Sequence, residues 1–331
     1  MTAPASLTLP DKHAIEAAAT RIDTRVRRTP LLRVETDRTG GFPGNGPDAF
    51  TLKLESLQHA GSFKTRGAFN SLLRADVPEA GVAAASGGNH GAAVAYAARA
   101  LGIKARIFVP EITAPPKLAL IRACGADVVV GGQRYADAAE ACADYMARTG
   151  ALSVHAYDAF DTIAGQGTLA AEWDAQTAAA GVIGGDAGEL DTVLVAVGGG
   201  GLIAGIAAWF EGRVKVVGVE PHGACALHAA LAAQDVVDVE VSSVAADSLG
   251  AKSTGAMNLG IAQAHVDHVV LVEDDAIIAA QRWLWSQLRL ASEPGGAAAL
   301  AALMAGAYRA RSDERVGVLL CGANVDLATL A

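Results

Sequence analysis

From about residue 79 the chain alternates short strand-like runs with Ala-rich helical runs, and this alternation limits the fold more than any other feature. VAAAS (82–86), ARIFVP (105–110) and ADVVVGG (126–132) read as strands. GAAVAYAARALG (91–102), APPKLALIRACG (114–125) and YADAAEACADYMARTG (135–150) read as helices. Proline opens the second helix, and Gly102 and Gly125 close the first two, as helix termini favour. Strands joined by helices over links this short form a parallel sheet with helices on its faces. A second run repeats the pattern: QGTLAAEWDAQTA is helical, DTVLVAV (191–197) is a buried strand, and GGGGLIAGIAAWFEG (198–212) is a turn and helix. KVVGVEP (215–221), HVVLVEDDAIIAAQRWLWSQL and RVGVLLCG (315–322) add a strand, a strand with its helix, and a last buried strand. The expected fold is therefore α/β with two lobes, each a mostly parallel sheet flanked by helices. The small lobe covers 76–152, and the large lobe combines 1–75 with 153–331. A cleft between such lobes is a usual place for a small-molecule site.

Upstream, residues 11–28 read as an amphipathic helix, with Ile15, Ala18, Ile22 and Val26 near helical spacing. Arg28-Thr29-Pro30-Leu31 ends it. GGFPGNGPD (40–48) reads as an exposed loop before a strand, FTLKLE (50–55).

Composition excludes several function classes. Of 331 residues, 52% are hydrophobic and 18% charged, enough for a large core and against disorder. The net charge of −9 comes without any Lys/Arg-rich run, so nucleic acid is not an expected partner. MTAPASLTLPDKH lacks the form of a signal peptide, and no apolar run reaches the length of a membrane span. The four cysteines show no CxxC or CxxH spacing, so neither a disulfide framework nor a zinc site is expected. The expected compartment is the cytoplasm.

Four constellations carry chemistry. Lys64, in GSFKTRGA (61–68), follows a small-residue turn and precedes a helical run. An amine held neutral there can condense with an aldehyde, whereas an isolated lysine is usually a solvated surface group. Ser86-Gly87-Gly88-Asn89-His90-Gly91 lies where a strand passes into a helix. Free amides at that helix start suit a carboxylate, and an ordinary capped turn with a packed His90 accounts for it equally well. Gly198, Gly199, Gly200 and Gly201 follow a buried strand and open a helix, where backbone amides can cradle a phosphate. The same loop fits G-x-G-x-x-A through Gly199, Gly201 and Ala204, with Glu220 near the next strand end, the outline of a dinucleotide site in an NAD-dependent oxidoreductase. Cys321, in CGAN (321–324), is either a near-neutral partner for a ring nitrogen or a small buried hydrophobe.

Taken together, SFKTRGA (62–68), SGGNHG (86–91), AGQGT (164–168), GGGGL (198–202), GVEP (218–221), EPGGAA (293–298) and CGAN (321–324) resemble the fold-type II enzymes that use pyridoxal 5'-phosphate (PLP), within the serine/threonine dehydratase and serine racemase family. The resemblance runs from Thr29 to Asn324 and implies a tryptophan synthase β-like fold. It implies that Lys64 holds PLP as an imine and later moves the α-proton. Phe63 would pack beside the ring, Gly198 to Gly201 would bind the phosphate, Asn89 the phenolic oxygen and Cys321 the ring nitrogen. Ser86, Gly87, Gly88, Asn89 and His90 would surround the substrate carboxylate. The implied reaction is β-elimination from L-threonine or L-serine, giving a 2-oxo acid and ammonia, in a homodimer. A threo-3-hydroxyaspartate dehydratase and a serine racemase are the alternatives within the family.

Departures from the family pattern refine this expectation. Gly87 stands where the racemases carry a serine base, which favours elimination. Glu220 and Ala224 match two of the family's three cation ligands, but Ala226 replaces the acid, so no metal is expected. Ala246-Asp247-Ser248 replaces Ala-Asp-Gly. A β-carboxylate substrate would need a cation in the cleft, for which Arg66 and Arg134 are the candidates. No regulatory domain is expected in the last seven residues after CGAN.

Overall fold

The computed structural model describes residues 7–36, 42, 47–179, 182–183 and 188–330. The first six residues and most of the stretch at 40–48 read as a loop lie outside the described residues. Among the described residues, β1 (Leu31–Glu35), β2 (Ala49–Lys53), β3 (Val82–Ala85), β4 (Ala105–Val109), β5 (Asp127–Val130), β6 (Leu152–Ser153), β7 (Val182–Ile183), β8 (Thr192–Ala196), β9 (Lys215–Pro221), β10 (His268–Val272) and β11 (Val316–Leu319) build two sheets. One has the order β5-β4-β3-β6 and is parallel throughout. The other has the order β10-β9-β8-β11-β2-β1-β7, and its β1–β2 pair is antiparallel, with Leu31 opposite Lys53.

Burial follows from this topology. All five residues of β8 are buried, because helices cover both faces of the larger sheet. The helices Gly201–Phe210 and Pro294–Met304 consist almost wholly of Gly, Ala and branched aliphatics, and nearly every residue in them is buried. Small side chains let these helices lie close against the strands. The carboxyl ends of β3, β8 and β11 lead into Ser86, Gly198 and Cys321, so three of the four sequence constellations stand at parallel strand ends, the usual binding edge of an open α/β sheet.

The N-terminal helix spans Lys12–Ile22 and ends six residues before the 11–28 expectation. Asp11 caps it by accepting from the Ala14 amide, and a turn closing on the Ile22 carbonyl ends it, so Val26 packs from a turn. FTLKLE is strand only through Lys53, and Glu55 opens a short 3-10 turn.

That turn places Glu55 against Arg66, two residues beyond Lys64. Arg66 is only 1% exposed. Its Nε donates to Glu55 at 2.5 Å, and its Nη2 donates to Glu55 at 3.0 Å and to Glu172 at 2.9 Å. Lys53, on β2, donates to Glu172 at 2.5 Å, to Gln176 at 2.8 Å and to the Thr29 carbonyl at 2.8 Å. Burial raises the Glu172 pKa, yet Arg66 and Lys53 outweigh it and hold the carboxyl below its ordinary value. Arg66 is therefore committed to the interior and cannot serve as a cleft cation. Removing one partner from such a cluster leaves an unpaired buried charge, so Arg66→Ala should cost about 3–5 kcal/mol in urea unfolding. A loss under 1 kcal/mol would mean the charges are solvated after all.

Candidate active site

The glycine turn after β8 forms the floor of a cleft, lined by Phe63, Lys64, Tyr157, Ser248, Glu293 and Cys321 as well. Gly200 has φ +92°, a left-handed conformation that glycine adopts without strain. A β-carbon on Gly199 would lie 2.4 Å from the Tyr157 ring, so the turn has no room for side chains there. The first intrahelical bond runs from the Ala204 amide to the Gly200 carbonyl at 2.9 Å. The amides before it are left for an outside acceptor, and the helix field there favours an anion. Asn258 Nδ2 and Thr254 Oγ1 donate to the Gly199 carbonyl at 2.8 and 3.2 Å, which fixes the turn from behind.

Lys64 opens the helix Lys64–Arg74, and its Nζ donates to the Ala156 carbonyl at 2.7 Å. Burial pulls its pKa down from 10.5 to about 8, although Cys321 and Glu293 oppose the shift. The turn at 155–158 joins this amine to the glycine floor. Ala156 receives Lys64, Tyr157 walls Gly199, and Asp158 accepts from the Ala256 and Met257 amides at the start of the helix that bears Asn258. Cys321 is buried, its Sγ is 3.6 Å from the Gly295 carbonyl, and burial pushes its thiol up, which keeps it neutral.

Gly87, Gly88 and Asn89 line a second, smaller recess, with Lys117, Asp247, Glu293 and Asn324. Asn89 and Glu293 belong to both cavities, so the two adjoin. Asn89 Nδ2 donates to Glu293 at 2.5 Å, and its Oδ1 accepts from Asn324 at 2.7 Å. Asn324 also donates to the Ala60 carbonyl at 2.8 Å, four residues before Lys64. Burial pushes the Glu293 carboxyl up to about 7, against the hydrogen bond from Asn89. Ser86 and His90 line neither cavity. Ser86 Oγ accepts from the Gly88 amide at 3.4 Å, and His90 Nε2 donates to the Val154 carbonyl at 2.8 Å. Burial first, and the charge of Lys64 next, hold His90 down to about 3, so its ring stays neutral.

Sequence reasoning did not single out Tyr157, Thr254, Asn258, Glu293 or Asn324 as site residues. Glu293 and Asn324 lay in motifs quoted for the resemblance, EPGGAA and CGAN, whereas Tyr157, Thr254 and Asn258 carry no local signal. Arg134 is exposed and pairs with Asp137 at the start of its own helix, lining neither cavity. Glu220 is 0% exposed and accepts from the Leu227 and His228 amides at 2.9 and 2.8 Å. Burial raises its pKa to about 8 in spite of those bonds. Held there as a helix cap, Glu220 is not free to bind a ribose hydroxyl, which removes the dinucleotide reading. Among the described residues, no group of three or more His, Cys, Asp or Glu side chains is placed to hold a metal ion.

A cleft floored by glycine amides, with a partly neutralised lysine at its wall, defines a site for a phosphorylated aldehyde. A family model described as "Pyridoxal-phosphate dependent enzyme" matches residues 22–322, and the chain belongs to that family. It is 40% identical to the phenylserine dehydratase of Ralstonia pickettii, over 100% of this chain and 98% of that protein. It is 36% identical to an L-threonine ammonia-lyase of Geobacter sulfurreducens, over 96% of this chain and 76% of that one. The structure of maize serine racemase superposes with a TM-score of 0.86 at 31% identity, covering 98% of this chain and 96% of the other. The protein is thus a PLP-dependent enzyme of fold type II. Its residues fit the cofactor: glycine stands where the Tyr157 ring leaves no room for a β-carbon, and the half-buried Lys64 amine lines the same cleft.

Only the neutral form of Lys64 attacks an aldehyde. Its fraction grows as pH rises toward 8 and then saturates. The rate of PLP capture by cofactor-free protein, followed by visible absorbance, should therefore climb about tenfold per pH unit below 8 and level off above it. An unperturbed lysine would keep the rate climbing to about pH 10.

Proposed function

We propose that this enzyme eliminates water from a 3-hydroxy amino acid, and that the resulting enamine takes up water again and releases ammonia, leaving a 2-oxo acid. The observation that carries the choice of elimination is Gly87: the residue offers no acid or base to the substrate, and a β-carbon there would lie 3.0 Å from Thr113. Dehydratase and ammonia-lyase names among the relatives support the reading.

Lys64 would hold the cofactor through its aldehyde carbon, Gly198, Gly199, Gly200 and Gly201 its phosphate, Asn89 its phenolic oxygen, and Cys321 its ring nitrogen, with Phe63 beside the ring. When bound, PLP supplies an electron sink for the charge left on the substrate's α-carbon. Lys64 Nζ, kept partly neutral by burial, takes the α-proton as general base. The backbone amides of Gly87 and Asn89, ahead of the first intrahelical bond from Ala92 to Gly88, would orient the substrate carboxylate. Ser86 supports that turn, and the neutral His90 braces it against Val154 without adding charge. The neutral Cys321 thiol leaves the ring nitrogen unprotonated, which suits elimination.

Residues 76–152 act as a substrate-side lobe in this reading, and the enzyme is a homodimer in the cytoplasm. Four free cysteines agree with a reducing compartment, and no helix among the described residues is long and apolar enough to cross a membrane.

A substrate panel tests the reading. L-threonine, L-serine and phenylserine should each release oxo acid, with at least one turned over efficiently. Formation of D-serine from L-serine faster than pyruvate would replace elimination by racemisation.

A further inference from the structure

Lys117 lies on the helix Pro115–Ala123, beside the smaller sheet, and Asp247 on the short helix Ala246–Leu249, whose residues flank the glycine floor. Their Nζ and Oδ2 are 2.6 Å apart, so the pair joins the two sides of the cleft. Both side chains line the recess that holds Gly87, Gly88 and Asn89. Asp247 is 80% exposed and Lys117 27%, which puts the acid at the solvent edge and the cation inside it. Among the described residues lining the two adjoining cavities, Lys64 and Lys117 are the cations, and Lys64 is assigned to the cofactor. Arg66 and Arg134 point elsewhere, as shown above.

A second carboxylate on a substrate needs a cation that is free to donate to it. Lys117 is the cation in the right place, but Asp247 already accepts from it. A dicarboxylate entering this recess meets a neutralised lysine and, at the rim, a like charge. A neutral C3 substituent meets no such penalty.

We propose that the Lys117–Asp247 ion pair is the specificity device of this enzyme: it selects 3-hydroxy amino acids with uncharged side chains and turns away 3-hydroxyaspartate. This inference rests on the elimination reading for its substrates, but not for its binding test. Exposed as it is, the pair contributes little to stability, so substituting Asp247 should leave the fold intact.

The test compares the wild type with Asp247→Asn, Lys117→Met and the double variant. Two quantities are read: the kcat/KM ratio of 3-hydroxyaspartate to the best neutral substrate, and the affinity of the PLP-loaded protein for succinate by calorimetry. Asp247→Asn should raise the ratio and tighten succinate by about tenfold or more, the scale of a hydrogen bond to a charged group. The double variant should lose both gains, and added salt should reduce them. An unchanged ratio and unchanged succinate affinity in Asp247→Asn, or gains that survive in the double variant, would overturn the proposal. Should the wild type release oxo acid from no 3-hydroxy amino acid, the elimination reading alone fails, and the succinate titrations still decide what the ion pair does.

Discussion

The buried charge cluster around Arg66 is the constraint on which the site depends. It joins β2 through Lys53, the following turn through Glu55, and the long helix Phe160–Ala178 through Glu172 and Gln176. Arg66 stands in the first turn of the helix that Lys64 opens. Ionised groups are costly to bury, and they stay buried only where each finds partners in good geometry. That requirement ties the start of the Lys64 helix to one position relative to the larger sheet. A lysine proposed to meet an aldehyde within about 0.5 Å needs such support more than it needs flexibility.

With the helix fixed, the rest of the site is assembled from strand ends. The 155–158 turn joins Lys64 to the glycine floor, and the Asn89–Glu293–Asn324 hydrogen bonds join that assembly to the smaller sheet. Asn324 binds both Asn89 and the Ala60 carbonyl, so the turn that ends in Asn89 and the turn before Lys64 share one side chain. The smaller sheet is thereby tied by hydrogen bonds to the turn that precedes Lys64. Glu293 sits where both cavities meet, buried with 7% exposure.

Much of this was legible in the chain. The β3-to-helix alternation was readable because each element buries one face and shows a clear period. The glycine turn was readable because a run of four glycines after a buried strand has few other uses. The helices Ala226–Ala233, Ala256–His265 and Pro294–Met304 were not read. Their Ala- and Gly-rich sequences have little contrast between faces, and the last is buried on nearly every side. The antiparallel β1–β2 pair and the end of the first helix at Ile22 depend on tertiary pairing that no local pattern announces. Arg66 shows the same limit at the level of one side chain. A sequence suggests that arginine meets solvent or substrate, and only Glu172, 106 positions away, reveals that it is structural. Lys117 was overlooked for the converse reason: its helix looks like any surface helix until Asp247 is placed beside it.

The central claim is that one amine, at position 64, carries the cofactor. Borohydride reduction of the PLP-loaded protein, followed by peptide mass mapping, tests it directly. A single phosphopyridoxyl adduct on the peptide containing Lys64 is the predicted result. An adduct on Lys117 or another lysine, or none at all, would contradict the account.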